Sequence, residues 1–89
     1  MGSDIDILVG RQLRRRRRML GMTQQQVGDA AGVSFQQIQK YECASNRLSV
    51  ALLWTLACVL DVEVAYFFAG AERDTATSRS TKTVYDRAA

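Results

Sequence analysis

The sequence predicts an all-α fold of five short helices followed by a flexible polar tail, and three observations carry that expectation. The 89 residues contain no proline, and runs of β-branched and aromatic residues are too short to favour strands. Apolar residues recur at the three-to-four-residue spacing of helices with one buried face. Thr23 with Gln26, and Ser34 with Gln37, each give the hydroxyl-x-x-amide pattern of a capping box, which satisfies amides that the first turn of a helix leaves unbonded.

The first helix is expected over residues 4–20. Ser3 with Asp6 gives it a weaker, aspartate-containing capping signal, and Gly21 ends it. Wound as a helix, Ile5, Val9, Leu13 and Leu20 share one stripe while Arg11, Arg14, Arg15 and Arg18 take the opposite face. Arg16 and Arg17 flank the stripe. One of them should therefore be partly buried, its stem packed and its guanidinium facing a carboxylate; helical phase does not choose between the two.

Residues 23–41 read as two helices meeting at Gly32, the position where a left-handed turn residue is needed. Met22 with Val27 and Val33 with Ile38 occupy the staple positions around the two capping boxes. Gly28 lies mid-helix, at a cost of about 1 kcal/mol relative to alanine, and with Ala30 and Ala31 it lets a second helix cross closely. That is helix-turn-helix geometry. Residues 43–47 are polar and turn-like. A fourth helix over 50–60 starts at Ser49, with Leu52, Leu53, Leu56, Ala57 and Leu60 inward and Trp54 beside them. Asp61 and Val62 interrupt it, and a short fifth helix over 63–68 stops before Gly70. Val64, Phe67 and one neighbouring aromatic close the core; Tyr66 and Phe68 cannot both join Phe67 on a single turn, and the surplus marks an interface. The domain is expected over 4–70 and the tail over 71–89, where Thr, Ser, Arg, Asp and Ala surround a lone Val84 and Tyr85.

Composition narrows the function. The net charge is only +3, but the arginines are bunched, which points to a polyanionic partner. There is no histidine, the carboxylates are scattered singly, and no glycine-rich phosphate loop or metal-ligand spacing occurs, so no catalytic residue, metal or cofactor is expected. Cys43 and Cys58, lacking CxxC spacing, read as small apolar fillers of a reduced protein. No run is long enough to span a membrane and no signal-peptide pattern is present, giving a cytoplasmic expectation.

Residues 9–68 resemble the lambda-repressor-like family, also called Cro or XRE type, with Gln24 opening the first motif helix, Gly28 at the crossing, Gly32 at the turn, and Val33 and Ile38 inside. The resemblance implies a sequence-specific transcriptional regulator, a repressor by lean, that binds a two-fold-related operator in double-stranded DNA as a homodimer through the major groove. Carried over by position, Phe35, Gln36, Gln39 and Lys40 are the candidate base-reading residues, with Gln37 ranked after them because the capping box would occupy it. Glutamine offers a donor and an acceptor together to adenine, and lysine reaches guanine or phosphate. Phe35 departs from the family's small or polar residue. Phosphate contacts are expected from Thr23, Gln24, Ser34, Ser45, Asn46 and Arg47, with Arg14, Arg15 and Arg18 on the first helix. Many family members pair an arginine seven residues before the motif-opening glutamine with a glutamate ending the second motif helix, which implies an Arg17 to Glu42 ion pair here. Trp54, Tyr66 and Phe68 are the dimer-interface candidates. The alternative is an antitoxin or protein-interaction adaptor of the same fold, binding its partner through the aromatic C-terminal helix or the tail; a pure adaptor has no reason to keep a glutamine-rich face. An RNA binder relying on the arginines of the first helix is a weaker third option.

Overall fold

In the computed structural model the first four helices each begin at a hydroxyl side chain. Residues 3–71 are described, and they form α1 (Asp4–Met19), α2 (Gln24–Ala31), α3 (Phe35–Glu42), α4 (Val50–Val59) and a closing 3-10 helix, Val64–Phe68. Of the segment expected as a tail, only Ala71 lies among the described residues. Ser3, Thr23, Ser34 and Ser49 each sit in extended backbone and accept a hydrogen bond from the amide three residues on. Such caps contribute about 1 kcal/mol apiece. The reciprocal bond completes the box at Ser3 and Thr23. At Ser34 it does not form: Gln37 Oε1 accepts from Asn46 Nδ2 at 3.2 Å, so the side chain expected in the cap is turned toward the following loop. The fifth element is tighter than an α-helix, because its start at Glu63 has no side-chain cap and only one turn follows.

The core is a single cluster of Val9, Leu13, Val27, Ile38, Leu56, Ala57, Leu60 and Phe67. α2 packs on α3, α1 lies across α3 and the 3-10 helix, and α4 supports α2. Ile5 and Leu20, expected on the buried stripe, are 40% and 42% exposed. The sixteen residues of α1 outrun the eight-residue α3 and the five-residue 3-10 helix on which it lies, so only its middle is covered. Cys43 and Cys58 are likewise free and exposed rather than core fillers. Tyr66 packs partly buried against the cluster with its ring edge-on to Phe67 at 5.9 Å, leaving Phe68 as the exposed aromatic.

Two glycines set how closely the helices approach. A Cβ at Gly28 would stand 2.6 Å from the Val33 carbonyl oxygen, so the sharp α2 to α3 turn requires its absence. At Gly10 a Cβ would collide with the Tyr41 carbonyl oxygen and come within 2.9 Å of that of Glu42, which lets α1 rest on the C-terminal end of α3 backbone to backbone. Polar side chains of α1 finish the other side: Arg16 Nε donates to the Leu60 carbonyl at 2.8 Å and Gln12 Nε2 to that of Tyr66 at 3.0 Å. These bonds satisfy carbonyls at the C-terminal end of α4, where the helix dipole favours a cation such as Arg16, and in the 3-10 helix. No helix among the described residues is long and apolar enough to cross a membrane.

Gly10→Ala is expected to destabilise the domain by about 1–3 kcal/mol, since backbone cannot yield as a side chain does. Arg11→Ala on the adjacent exposed position should stay within about 0.5 kcal/mol. Urea unfolding of the two variants beside the parent checks the contrast.

Candidate nucleic-acid interface

α3 presents two unlike sides. Ile38 is fully buried and Tyr41 packs partly buried against the core, while Gln36, Gln39 and Lys40 are exposed and Phe35 is 39% exposed. Gln37 is half-covered, held by Asn46. Phe35 therefore stands out on the first turn with the polar residues instead of folding into the core.

The helix is held in this attitude by a charge network at its last residue. Glu42 Oε2 accepts from Arg17 Nε at 2.6 Å, and its Oε1 accepts from Arg17 Nη2 at 3.0 Å and from Gln24 Nε2 at 3.1 Å. Arg17 Nη1 donates to the Met22 carbonyl at 2.9 Å. The two charged side chains are only 11% and 4% exposed, a burial tolerated because both carboxylate oxygens and all three guanidinium nitrogens are bonded. The Glu42 hydrogen bonds outweigh burial and raise the Arg17 pKa further above its ordinary value. Arg16 is also half-buried, through the α4 carbonyls. Both flanking arginines of α1 are thus engaged, Arg17 with the carboxylate.

Above this network lies a polar cleft lined by Arg14, Arg18, Thr23, Gln24, Gln39 and Cys43. Arg14, Arg15 and Arg18 are exposed and form no ion pair among the described residues. At the mouth of the cleft α2 begins: the Thr23 amide is taken up by Gln26 at 2.8 Å, while the Gln24 and Gln25 amides have no acceptor among the described residues. Free amides at a helix start suit an anion. Gln24 keeps one amide hydrogen for such a ligand while the other serves Glu42.

The loop after α3 doubles back on it. The Ser45 and Asn46 amides donate to the Lys40 carbonyl at 2.8 and 3.4 Å, which sets Ser45, Asn46 and Arg47 beside the outward face. Arg47 crosses to α1, its Nε 3.2 Å from Asp6 Oδ2. The amide of Ser3 does most to hold the Asp6 carboxyl below its usual range, with smaller help from the Ser3 hydroxyl and Arg47. The pair is therefore fully formed above the ordinary carboxylate value and lost only as pH falls through the lowered one. Nothing in local spacing marks Asp6 or Asn46 as partners, since both bonds depend on where the loop is folded.

An outward-facing polar helix set on a closely crossed supporting helix, with cationic and amide donors beside it, defines a helix-turn-helix domain. The chain belongs to the Cro/C1-type helix-turn-helix family, whose model HTH_3, described as Helix-turn-helix, matches residues 13–67. Over 70 residues it is 47% identical to an uncharacterized HTH-type transcriptional regulator of Sinorhizobium medicae, covering 79% of this chain and 50% of that one. Over 69 residues it is 45% identical to an uncharacterized transcriptional regulator in the ATPase CF(0) region of Rhodospirillum rubrum, covering 78% and 64%. The chain spans about half the length of the curated relatives it matches. Its fold is similar to that of the clp gene regulator ClgR from Corynebacterium glutamicum, with a TM-score of 0.75 at 21% identity over 97% of this chain and 92% of that one. It is also similar to the restriction-modification controller protein C.AhdI from Aeromonas hydrophila, with a TM-score of 0.69 at 24% identity over 71% and 96%.

Removing one member of a buried pair strands the other, at a cost of roughly 3–5 kcal/mol. Arg17→Ala is accordingly expected to unfold most of this small domain at ambient temperature, whereas Arg15→Ala should melt like the parent. Thermal denaturation followed by circular dichroism decides it; equal melting temperatures would remove the structural role given to Arg17.

Proposed function

We propose that this chain is the DNA-reading part of a sequence-specific transcriptional repressor, acting in the cytoplasm, that occupies a two-fold-related operator as a homodimer. The observation that carries the reading is the outward face of α3, an uncovered set of glutamine and lysine side chains on a helix whose orientation is fixed from behind. Such a helix enters the major groove with its first turns against the base edges. Gln36 and Gln39 offer paired donor and acceptor groups suited to adenine, Lys40 reaches guanine or a phosphate, and Phe35 meets a thymine methyl. Gln37, restrained by Asn46, reads at the margin.

Phosphates on one side would be taken by Thr23, Gln24 and the free α2 amides together with Arg14, Arg15 and Arg18, and on the other by Ser34, Ser45, Asn46 and Arg47. Interactions of this kind fix register without reading sequence. A single helix meets few base pairs, and specificity then comes from pairing two half-sites about one helical turn apart. The second copy would be held by α4, where Val50 and Trp54 lie 86% and 67% exposed one turn apart, with Phe68 nearby at 36%. Exposed apolar side chains grouped on one helix face suit contact with a second copy. Tyr66, mostly spent on the core, contributes at the edge.

Duplexes selected from a random pool should show inverted half-sites. In gel shifts on the winning sequence at fixed salt, Gln36→Ala and Lys40→Ala should each weaken binding by roughly ten- to a hundredfold, as expected when base recognition worth about 1–3 kcal/mol is removed. Parent-like affinity in both would mean that α3 does not read bases. Trp54→Glu should shift the chain toward monomer in sedimentation and lower operator affinity while leaving its helical spectrum intact.

A further inference from the structure

The Asp6 to Arg47 bridge joins the first turn of α1 to the loop beside the reading helix, forty-one residues apart. It uses the guanidinium in an unusual way. Only Nε is engaged, and the Arg47 side chain remains 77% exposed, whereas Asp6 is 15% exposed and carries all its bonds on Oδ2. Ser3 donates to that same oxygen from its amide and its hydroxyl, each at 3.0 Å, so the carboxylate is itself locked in place. The two terminal nitrogens of Arg47 are left facing solvent with no acceptor among the described residues, one position after Asn46, which is tied to Gln37 on α3.

We infer that Asp6 is a positioning residue for DNA binding: it holds Arg47 by its Nε so that the terminal guanidinium nitrogens point at a backbone phosphate flanking the groove that α3 enters. This rests on the reading of α3 given above. An arginine free in solution must surrender rotamer freedom when it grips a phosphate, and one already clamped surrenders less, which appears as affinity. The fork geometry suits the task because Nε and the terminal nitrogens donate in different directions from one rigid plane. The inference runs against plain electrostatics. A carboxylate close to DNA repels it, so discarding an idle one strengthens binding, whereas discarding a positioning one weakens it.

The sign of the effect is the test, read on the full chain with its selected duplex by fluorescence anisotropy across a salt series. Asp4, exposed on the same first turn and without an ion pair among the described residues, supplies the charge control. Asp4→Asn should bind as tightly as the parent or tighter. Asp6→Asn, which keeps the size and an acceptor for the Ser3 amide, should bind about three- to tenfold more weakly, with melting followed to confirm a folded chain. Arg47→Ala should bind about tenfold more weakly, and the salt slope should fall in magnitude by about 0.9 for each phosphate left unneutralised per subunit. Combining Asp6→Asn with Arg47→Ala should cost no affinity beyond Arg47→Ala alone and can return a little, because the carboxylate is then idle; Arg47→Lys, lacking the fork, should match Asp6→Asn. Tighter or unchanged binding by Asp6→Asn, or simple additivity in the double variant, overturns the positioning role. Parent-like affinity and slope in Arg47→Ala overturn it too while leaving α3 as the reader. A parent chain that binds no duplex at all overturns both.

Discussion

One carboxylate, Glu42, is where three helices meet. Arg17 reaches it from α1, Gln24 from the start of α2, and the residue itself closes α3. Helices of eight residues are too short to persist alone, and the apolar core beneath them is small, so the direction in which α3 points has to be supplied by something with strict geometry. A nearly buried ion pair does this. It adds little net stability over a well-packed apolar alternative, but it tolerates no half-formed version of itself, because either partner left alone would be an uncompensated charge. The network thus acts on orientation more than on stability.

That division runs through the arginine cluster of α1. Helical phase splits one uniform stretch of sequence into two tasks. Arg16 and Arg17 turn toward the body of the domain, one onto carbonyls at the end of α4 and the other onto Glu42. Arg14, Arg15 and Arg18 turn outward and leave their charge unspent. Arg14 and Arg18 line one cleft with Gln39 of α3, so positive charge is gathered beside that helix to a degree that a net charge of +3 does not express. The face that carries α3 is consequently layered: an inner set of polar groups is bonded within the domain, and an outer set is exposed.

Much of this was legible in the residues themselves, because capping, turn glycines and apolar phase are local signals. The starts at Thr23 and Ser34, the stop at Gly32 and the close crossing at Gly28 each needed only a few neighbouring positions to be read. Phase also narrowed the buried arginine to Arg16 or Arg17, and the family resemblance singled out Arg17. Where reading failed, the cause was tertiary. Gln37 left its cap for Asn46 because the loop folds back beside it, and Ile5 and Leu20 kept a helical rhythm beyond the part of α1 that anything covers. Gly10 was a lone glycine inside a helix, a signal of close approach in hindsight, yet its packing on the end of α3 spans too much chain for any local pattern to expose. Asp6 looked like a capping residue and is one; its second partner, Arg47, had no trace at all.

At Gly10 and Gly28 α3 is seated main chain against main chain, so its tilt does not depend on which side chains it carries on its outer turns. Positions 35, 36, 39 and 40 can then be exchanged wholesale without reseating the helix. On the base-reading role proposed for α3, a scaffold built this way permits rapid divergence: copies of the gene could acquire new cognate sites through a handful of substitutions while the chassis beneath stays fixed, and the same latitude makes it a practical frame for grafted recognition surfaces.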